Sequence, residues 1–189
     1  MLRIINGDLL AQPVDAIVNP ANSFLRHGGG LARIIHEAAS EPTVGENIFR
    51  PTRYDEELFE LQQEPVPVGE AVLQRSTGPL PFKGIIHAVG PIWGGGRFCE
   101  AELLRLAYQS AANQAEAHGF KSVAFPAISA GIFGVPMNVV AAQGVLGLKN
   151  AVRNGLDITV CLTNDEDTAL WRDIASGVYG VYEGEYYAV

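Results

Sequence analysis

Two stretches of this 189-residue chain set residue types suited to chemistry at loop positions. The first runs Asn19-Pro20-Ala21-Asn22-Ser23-Phe24-Leu25-Arg26-His27-Gly28-Gly29-Gly30-Leu31. A strand ends in two asparagines, and three consecutive glycines open a helix. Without Cβ atoms, Gly28, Gly29 and Gly30 let amide N–H groups turn toward a ligand and let it approach closely. The helix start adds the positive end of a dipole, a combination suited to phosphate. A tight turn with nothing bound would use the same residues. The stretch is neither G-x-x-x-x-G-K-[ST] nor a well-placed G-x-G-x-x-G, which removes the commonest nucleotide-site assignments. The second stretch, Phe125-Pro126-Ala127-Ile128-Ser129-Ala130-Gly131-Ile132-Phe133-Gly134-Val135-Pro136, repeats the arrangement: strand end, small-residue loop, aromatic, glycine, helix. Two such loops at neighbouring strand ends would clamp a diphosphate between them, with Phe133 as an apolar wall for a sugar.

Other reactive side chains have quieter readings. His27, beside the glycines, is a candidate either for hydrogen bonding to Asn22 or a ligand, or for support of the loop. His36 and His87 read as buried structural histidines, and His118 as a solvated cation near a helix end. Ser129 reads as a small loop residue, because no Ser–His–Asp arrangement can be argued from the spacing. Trp93 and Gly94-Gly95-Gly96 read as a surface turn, and the acidic run Asp55 to Glu60 as a solvated helix face. Cys99 and Cys161 lie far apart and in no metal-ligand spacing, so no disulfide, structural zinc or other resident metal is expected. Cys161 sits in an apolar run and reads as a buried small hydrophobe.

The elements that must position these loops follow from hydrophobic patterning. Val14 to Val18, Ile85 to Val89, Ser122 to Phe125 and Ile158 to Leu162 are nearly continuous apolar runs, as strands covered on both faces tend to be. Leu104, Ala107, Tyr108, Ala111 and Ala115 form one helical stripe, stopped by Gly119. Further helices are predicted from Leu31 to Ala39, from near Pro136 to before Gly155, and after Thr163, where Thr163 and Glu166 have capping-box spacing, to near Gly177. Glu41 to Gly69 reads as a long connection holding a short surface helix. Strands alternating with helices predict an α/β domain with a largely parallel sheet covered on both faces. Ligands in such folds sit beyond the carboxyl ends of the strands. The chain is expected to be a single domain over 1–189 with a tyrosine-rich extension at about 179–189. The aromatics of that extension either cover an edge strand or meet a partner chain.

Composition sets outer bounds. There are 13 Lys+Arg against 21 Asp+Glu, a formal net charge of -8, which argues against partners held mainly by phosphate neutralisation, such as bulk nucleic acid or an anionic membrane. The first residues lack a basic region followed by an apolar stretch, and no apolar run approaches the roughly 20 residues of a membrane span. A cytoplasmic protein is the expectation.

Gly7-Asp8-Leu9, Asp15-Ala16-Ile17-Val18-Asn19-Pro20-Ala21-Asn22 and His27-Gly28-Gly29-Gly30-Leu31-Ala32 resemble the opening of a macro domain. His87-Ala88-Val89-Gly90-Pro91-Ile92-Trp93 and the run from Ala124 to Pro136 are similar to its later signature segments, in the same order. The resemblance implies a three-layer α/β/α sandwich around a mixed, largely parallel sheet, and a cleft for ADP-ribose. It implies that Asp8 accepts from the adenine amino group beside Leu9. Amides from Gly28, Gly29, Gly30 and Leu31, and from Ser129, Ala130, Gly131, Ile132, Phe133 and Gly134, would hold the diphosphate. Thr163 and Asn164 would lie near the adenine, and Asn22 would hold the distal ribose near its reacting carbon, with His27 as a second candidate catalytic residue. One departure matters. A hydrolase subgroup carries an aspartate credited with activating water, and this chain has Ala32 there. The implied function is metal-independent hydrolysis of mono-ADP-ribose from acidic side chains of proteins, with water polarised by a substrate phosphate. The alternatives are a non-catalytic ADP-ribose reader, and a hydrolase of small esters such as ADP-ribose 1″-phosphate or O-acetyl-ADP-ribose. ADP-ribose, as ligand or product, and mono-ADP-ribosylated proteins are the implied partners.

Overall fold

The computed structural model describes residues 1–40 and 51–187. Eight strands form one sheet in the order β3-β4-β2-β5-β6-β1-β8-β7. They are β1 (Leu2–Asn6), β2 (Ala16–Ala21), β3 (Ala71–Gln74), β4 (Gly84–Val89), β5 (Ser122–Phe125), β6 (Asp157–Leu162), β7 (Gly180–Tyr182) and β8 (Glu185–Tyr187). The five central strands run parallel, and β3 and the β7–β8 hairpin add antiparallel edges. Five α-helices lie among the described residues: α1 (Gly30–Ala39), α2 (Arg53–Leu61), α3 (Glu100–Ala117), α4 (Met137–Arg153) and α5 (Asp165–Ser176).

The near-continuous apolar strands are explained by two cores. Ala16 and Val18 of β2 and Ile86 and Ala88 of β4 point into a core shared with α3, α4 and α5. Their neighbours Ile17, Ala21, Ile85 and Val89 point into a second core shared with α1 and α2. Alternate side chains therefore reach opposite layers, and both sets are apolar. The outcome is an α/β/α sandwich around a mixed sheet. One buried polar chain crosses it: Asn19 Nδ2 donates to His87 Nδ1 at 2.9 Å, and His87 Nε2 donates to Gln74 Oε1 at 2.9 Å. That pairing fixes the His87 tautomer, and burial pushes its pKa down to about 3.

Local rules place most boundaries, with instructive exceptions. The first apolar run starts two residues later than its pattern suggests, because Val14 and Asp15 form the approach turn, and β2 then continues to Ala21 beside β4. The cap of α5 is Asn164, not Thr163: Asn164 is extended and accepts from the Asp167 N–H at 2.8 Å. The acidic face of α2 is not simply solvated. Thr52 and Asp55 form a capping box, and the Glu57 carboxylate accepts from the Arg75 and Ser76 amides. The tyrosine-rich tail covers an edge, since β8 pairs with β1 and buries Tyr186, while Tyr179 packs into the core and donates to Val145 O. The expected connection from Glu41 to Gly69 contains α2, and its residues 41–50 lie outside the described residues. Among the described residues no helix is long and apolar enough to cross a membrane.

Candidate ligand-binding and active site

The carboxyl ends of β2, β5, β6 and β1 and the loops that follow them surround a cavity of about 940 Å³. Its position agrees with the general rule for open α/β sheets. Asp8, Leu9, Asn22, Gly28, Gly29, Gly30, Leu31, Ser129, Ala130, Gly131, Ile132, Phe133 and Thr163 all line it. Gly134, Asn164 and His27 are not among the lining residues.

At the β1 end, Asp8 caps a short 3-10 turn over Leu9–Ala11, its Oδ1 accepting from the Leu10 N–H at 2.9 Å. Its second carboxylate oxygen has no partner among the described residues and is available to a donor in the cavity. Cys161 lies on the same wall. Burial and the nearby Asp8 charge push its thiol up to about 12, so it contributes surface rather than a nucleophile.

The loop after β2 is organised by Asn22. Its Oδ1 accepts from the Phe24 and Arg26 amides at 3.1 Å each, and its Nδ2 donates to Arg26 O at 2.7 Å. Asn22 therefore ties the loop to itself and makes no bond to His27. Gly28 N–H is engaged by Arg26 O at 3.0 Å, so it is not a free donor to a ligand. Gly29 has φ 151° and ψ -176°, a conformation essentially confined to glycine. The amides of Gly29, Gly30 and Leu31 have no partner among the described residues and open onto the cavity at the start of α1.

His27 occupies a different place from the one expected of a catalytic residue. Its ring stacks on His36 with centroids 3.7 Å apart, and its Nε2 is buried without a hydrogen-bond partner among the described residues. Burial, then the His36 charge, push its pKa down to about 4, so the ring is neutral near pH 7. Its side chain supports the loop from behind.

The loop after β5 is held from outside. Tyr108 on α3 accepts from the Ile128 N–H at 2.9 Å and donates to Pro126 O at 3.2 Å. Ser129 is left-handed at φ 65°, and its main-chain carbonyl accepts from Val135 N–H at 3.1 Å. Trp93 N–H reaches Phe133 O at 2.8 Å. The Ala130 and Gly134 amides are engaged inside the loop, whereas those of Gly131, Ile132 and Phe133 have no partner among the described residues. Gly90 makes this packing possible: a Cβ there would lie 2.1 Å from Ser129 Oγ.

Sequence reasoning missed several lining residues, among them Asn6, Arg26, Ile34, Gly90, Met137 and Asp167. Gly90 was visible inside the His87 to Trp93 segment. Arg26 and Ile34 had a signal only in their distance from the three glycines. No cluster of three or more His, Cys, Asp or Glu side chains able to hold a metal occurs among the described residues.

The family pattern described as Macro domain matches residues 18–143. The O-acetyl-ADP-ribose deacetylase of Citrobacter rodentium is 44% identical over 144 residues, covering 76% of each chain. The deacetylase of the same description from Salmonella gallinarum is 45% identical over 136 residues, 71% of this chain and 70% of the relative. An Oceanobacillus iheyensis macrodomain solved with ADP shares 28% identity and a TM-score of 0.78, covering 93% of this chain and 90% of that one. With a family pattern running from β2 into α4, and relatives that align over most of its length, the chain belongs to the macro domain family.

Proposed function

We propose that the protein binds ADP-ribose in this cavity and hydrolyses small ADP-ribose esters of the O-acetyl type. The observation that carries the reading is one cavity with an acceptor carboxylate, Asp8, at one end and unpartnered loop amides at the other. Three inter-strand steps of about 4.8 Å separate β1 from β2, so the two ends lie about 14 Å apart, a span suited to a dinucleotide-sized ligand. Asp8 accepts from the adenine amino group, a donor that a base presenting a carbonyl at that position lacks. The amides of Gly29, Gly30 and Leu31 and of Gly131, Ile132 and Phe133 hold the diphosphate, and Phe133 packs on the distal ribose. Two relatives described as O-acetyl-ADP-ribose deacetylases support the small ester over the protein-linked ester that the sequence resemblance implied.

Hydrolysis adds water across the acyl C–O bond. The acid leaves with the acyl carbon, and the ribose hydroxyl is regenerated with the proton. Neither Ala32, which has no ionisable group, nor His27, which is stacked on His36 and does not line the cavity, offers this chain's own general base at the reacting end. The proposed rate enhancement therefore rests on orientation by the Asn22 loop, on amides directed at developing negative charge, and on a substrate phosphate that polarises the water.

The test measures acetate release from O-acetyl-ADP-ribose by wild type and Asn22→Ala, alongside ADP-ribose binding by calorimetry. We expect release by wild type and a loss of about 100-fold in the variant, the scale of effect reached when a reacting group is misplaced by about 1 Å. Binding without release from this ester, but with release from a protein carrying mono-ADP-ribose on acidic side chains, would return the substrate to the protein-linked class. Binding with neither release would make the protein a reader.

A further inference from the structure

The charged residues that line the cavity are divided between its two ends. Asp8, after β1, and Asp167, in the first turn of α5 after β6, stand at one end. Among the described lining residues the only side chain carrying a full positive charge is Arg26, in the loop after β2 beside Asn22. No lining carboxylate accompanies it, because Ala32 occupies the first turn of α1. The unpartnered amides and dipole of α1 add positive potential at the same end. The backbone of Arg26 is pinned by Asn22 through both its N–H and its carbonyl, and its guanidinium lies 5.5 Å from the Phe24 ring centroid. The root of this side chain is therefore fixed beside the reacting end while its head stays exposed to an incoming group.

Resting on the reading above, we propose that Arg26 is a specificity-determining residue that selects substrates whose substituent on the distal ribose is itself anionic: a half-ester of a dicarboxylic acid or a phosphate ester, in preference to a neutral acyl ester. A guanidinium presents a planar fork of donors that matches carboxylate and phosphate alike, and such charge-assisted bonds are the strong ones in a partly desolvated cleft. A carboxylate in the first turn of α1 would cancel this preference, and Ala32 leaves it intact. Turnover is the same hydrolysis, with water adding across the ester bond and the dicarboxylate or inorganic phosphate leaving.

The experiment compares kcat/KM for three probes, O-succinyl-ADP-ribose, ADP-ribose 1″-phosphate and O-acetyl-ADP-ribose, in wild type, Arg26→Gln, Arg26→Lys and Ala32→Asp. The readout is the ratio of each anionic probe to the acetyl ester, which a general loss of loop structure would leave unchanged. We expect Arg26→Gln to lower at least one ratio by tenfold or more, Arg26→Lys to restore it to within about threefold, and Ala32→Asp to lower it in the same direction. Raising the salt concentration should shrink the wild-type preference as well. Which ratio responds distinguishes the dicarboxylate from the phosphate source. Ratios unchanged within twofold in Arg26→Gln, or both classes falling equally, would overturn the proposal. Absence of ADP-ribose binding by wild type would instead defeat the functional reading beneath it.

Discussion

The two loops that face each other across the cavity are built by opposite means. The loop after β2 is shaped largely from within: one side chain, Asn22, makes three hydrogen bonds within five residues, while Val66 N–H and Gln62 Nε2 donate to Ser23 O and Leu25 O from outside, and a Cβ at Gly28, Gly29 or Gly30 would meet nothing within 4 Å. The loop after β5 is held by its neighbours, through the Tyr108 hydroxyl, the Trp93 amide and the close approach of Gly90 to Ser129. The first anchors Leu25 in the second core and His27 on His36, but its arc of glycines is shaped by backbone conformation and stands clear of packing. The second is shaped by packing and is part of the core's edge. A ligand bridging them joins a packed wall to an unpacked arc of glycines, so the same kind of glycine substitution should act on affinity in one and on stability in the other.

The largest test of that difference is Gly90→Ala. The new methyl would sit 2.1 Å from Ser129 Oγ and 2.7 Å from Ile128 Cγ2, so the loop after β5 must move. We expect a loss of about 3 kcal/mol in urea unfolding, at the upper end of overpacking costs, together with weakened ADP-ribose binding. An unaltered unfolding midpoint would show that this wall is not held by packing.

Acid should act next, and on the other side. His27 is pushed down to about 4 and His87 to about 3, both from an ordinary 6.5. Below pH 6.5 the unfolded chain takes up protons that the folded chain refuses. Stability is therefore complete above pH 6.5 and is lost as pH falls toward 4, by up to about 1.4 kcal/mol per pH unit for each imidazole. Urea midpoints at pH 7.5, 6 and 5 should show this slope, and His27→Asn should reduce it by about half. The loop after β5 has no titratable side chain between Phe125 and Pro136, so the acid response should track His27 and the buried His87 rather than this loop.

The smallest effect on stability is expected from Gly29→Ala. The strain of its backbone is real, but no packing opposes the methyl and the loop can relax. ADP-ribose affinity should fall about tenfold with an unfolding loss of about 1 kcal/mol, the low end of the cost of such a backbone. A destabilisation equal to that of Gly90→Ala would erase the distinction between the loops.

What the sequence made legible follows the same division. The loop after β2 was readable because its device is compositional: two asparagines and three glycines write their conformation into residue type. Four of the five parallel strands, β2, β4, β5 and β6, were readable because both faces are buried, giving nearly continuous apolar runs. β1 was missed because Arg3 and Asn6 interrupt its pattern, and β3 because four residues offer no periodicity. The β7–β8 hairpin was missed because its glycines and tyrosines read as a tail until pairing with β1 is known. Arg26 escaped notice as a lining residue because nothing in an isolated cation says which way the loop will turn. The two readings of His27, ligand contact or loop support, stayed open for a related reason: its stacking partner, His36, comes from the following helix and only geometry unites them. The Asn164 cap was displaced by one residue because Thr163 and Asn164 are both good caps, and only the extended backbone of Asn164 decides between them.

The position of β1 carries a consequence for how the molecule comes to exist. Among the described residues β1 pairs only with β6 and β8, more than 150 residues downstream. During synthesis β2, β3 and β4 have one another as partners by residue 89, while β1 waits unpaired until residues 157–162 arrive. Such long-range closure is slow, and an apolar strand left waiting is exposed to wrong partners. Asp8 lies two residues after β1, so the adenine-facing end of the cavity is completed late, and a nascent chain becomes competent to bind only once β1 and β6 have met.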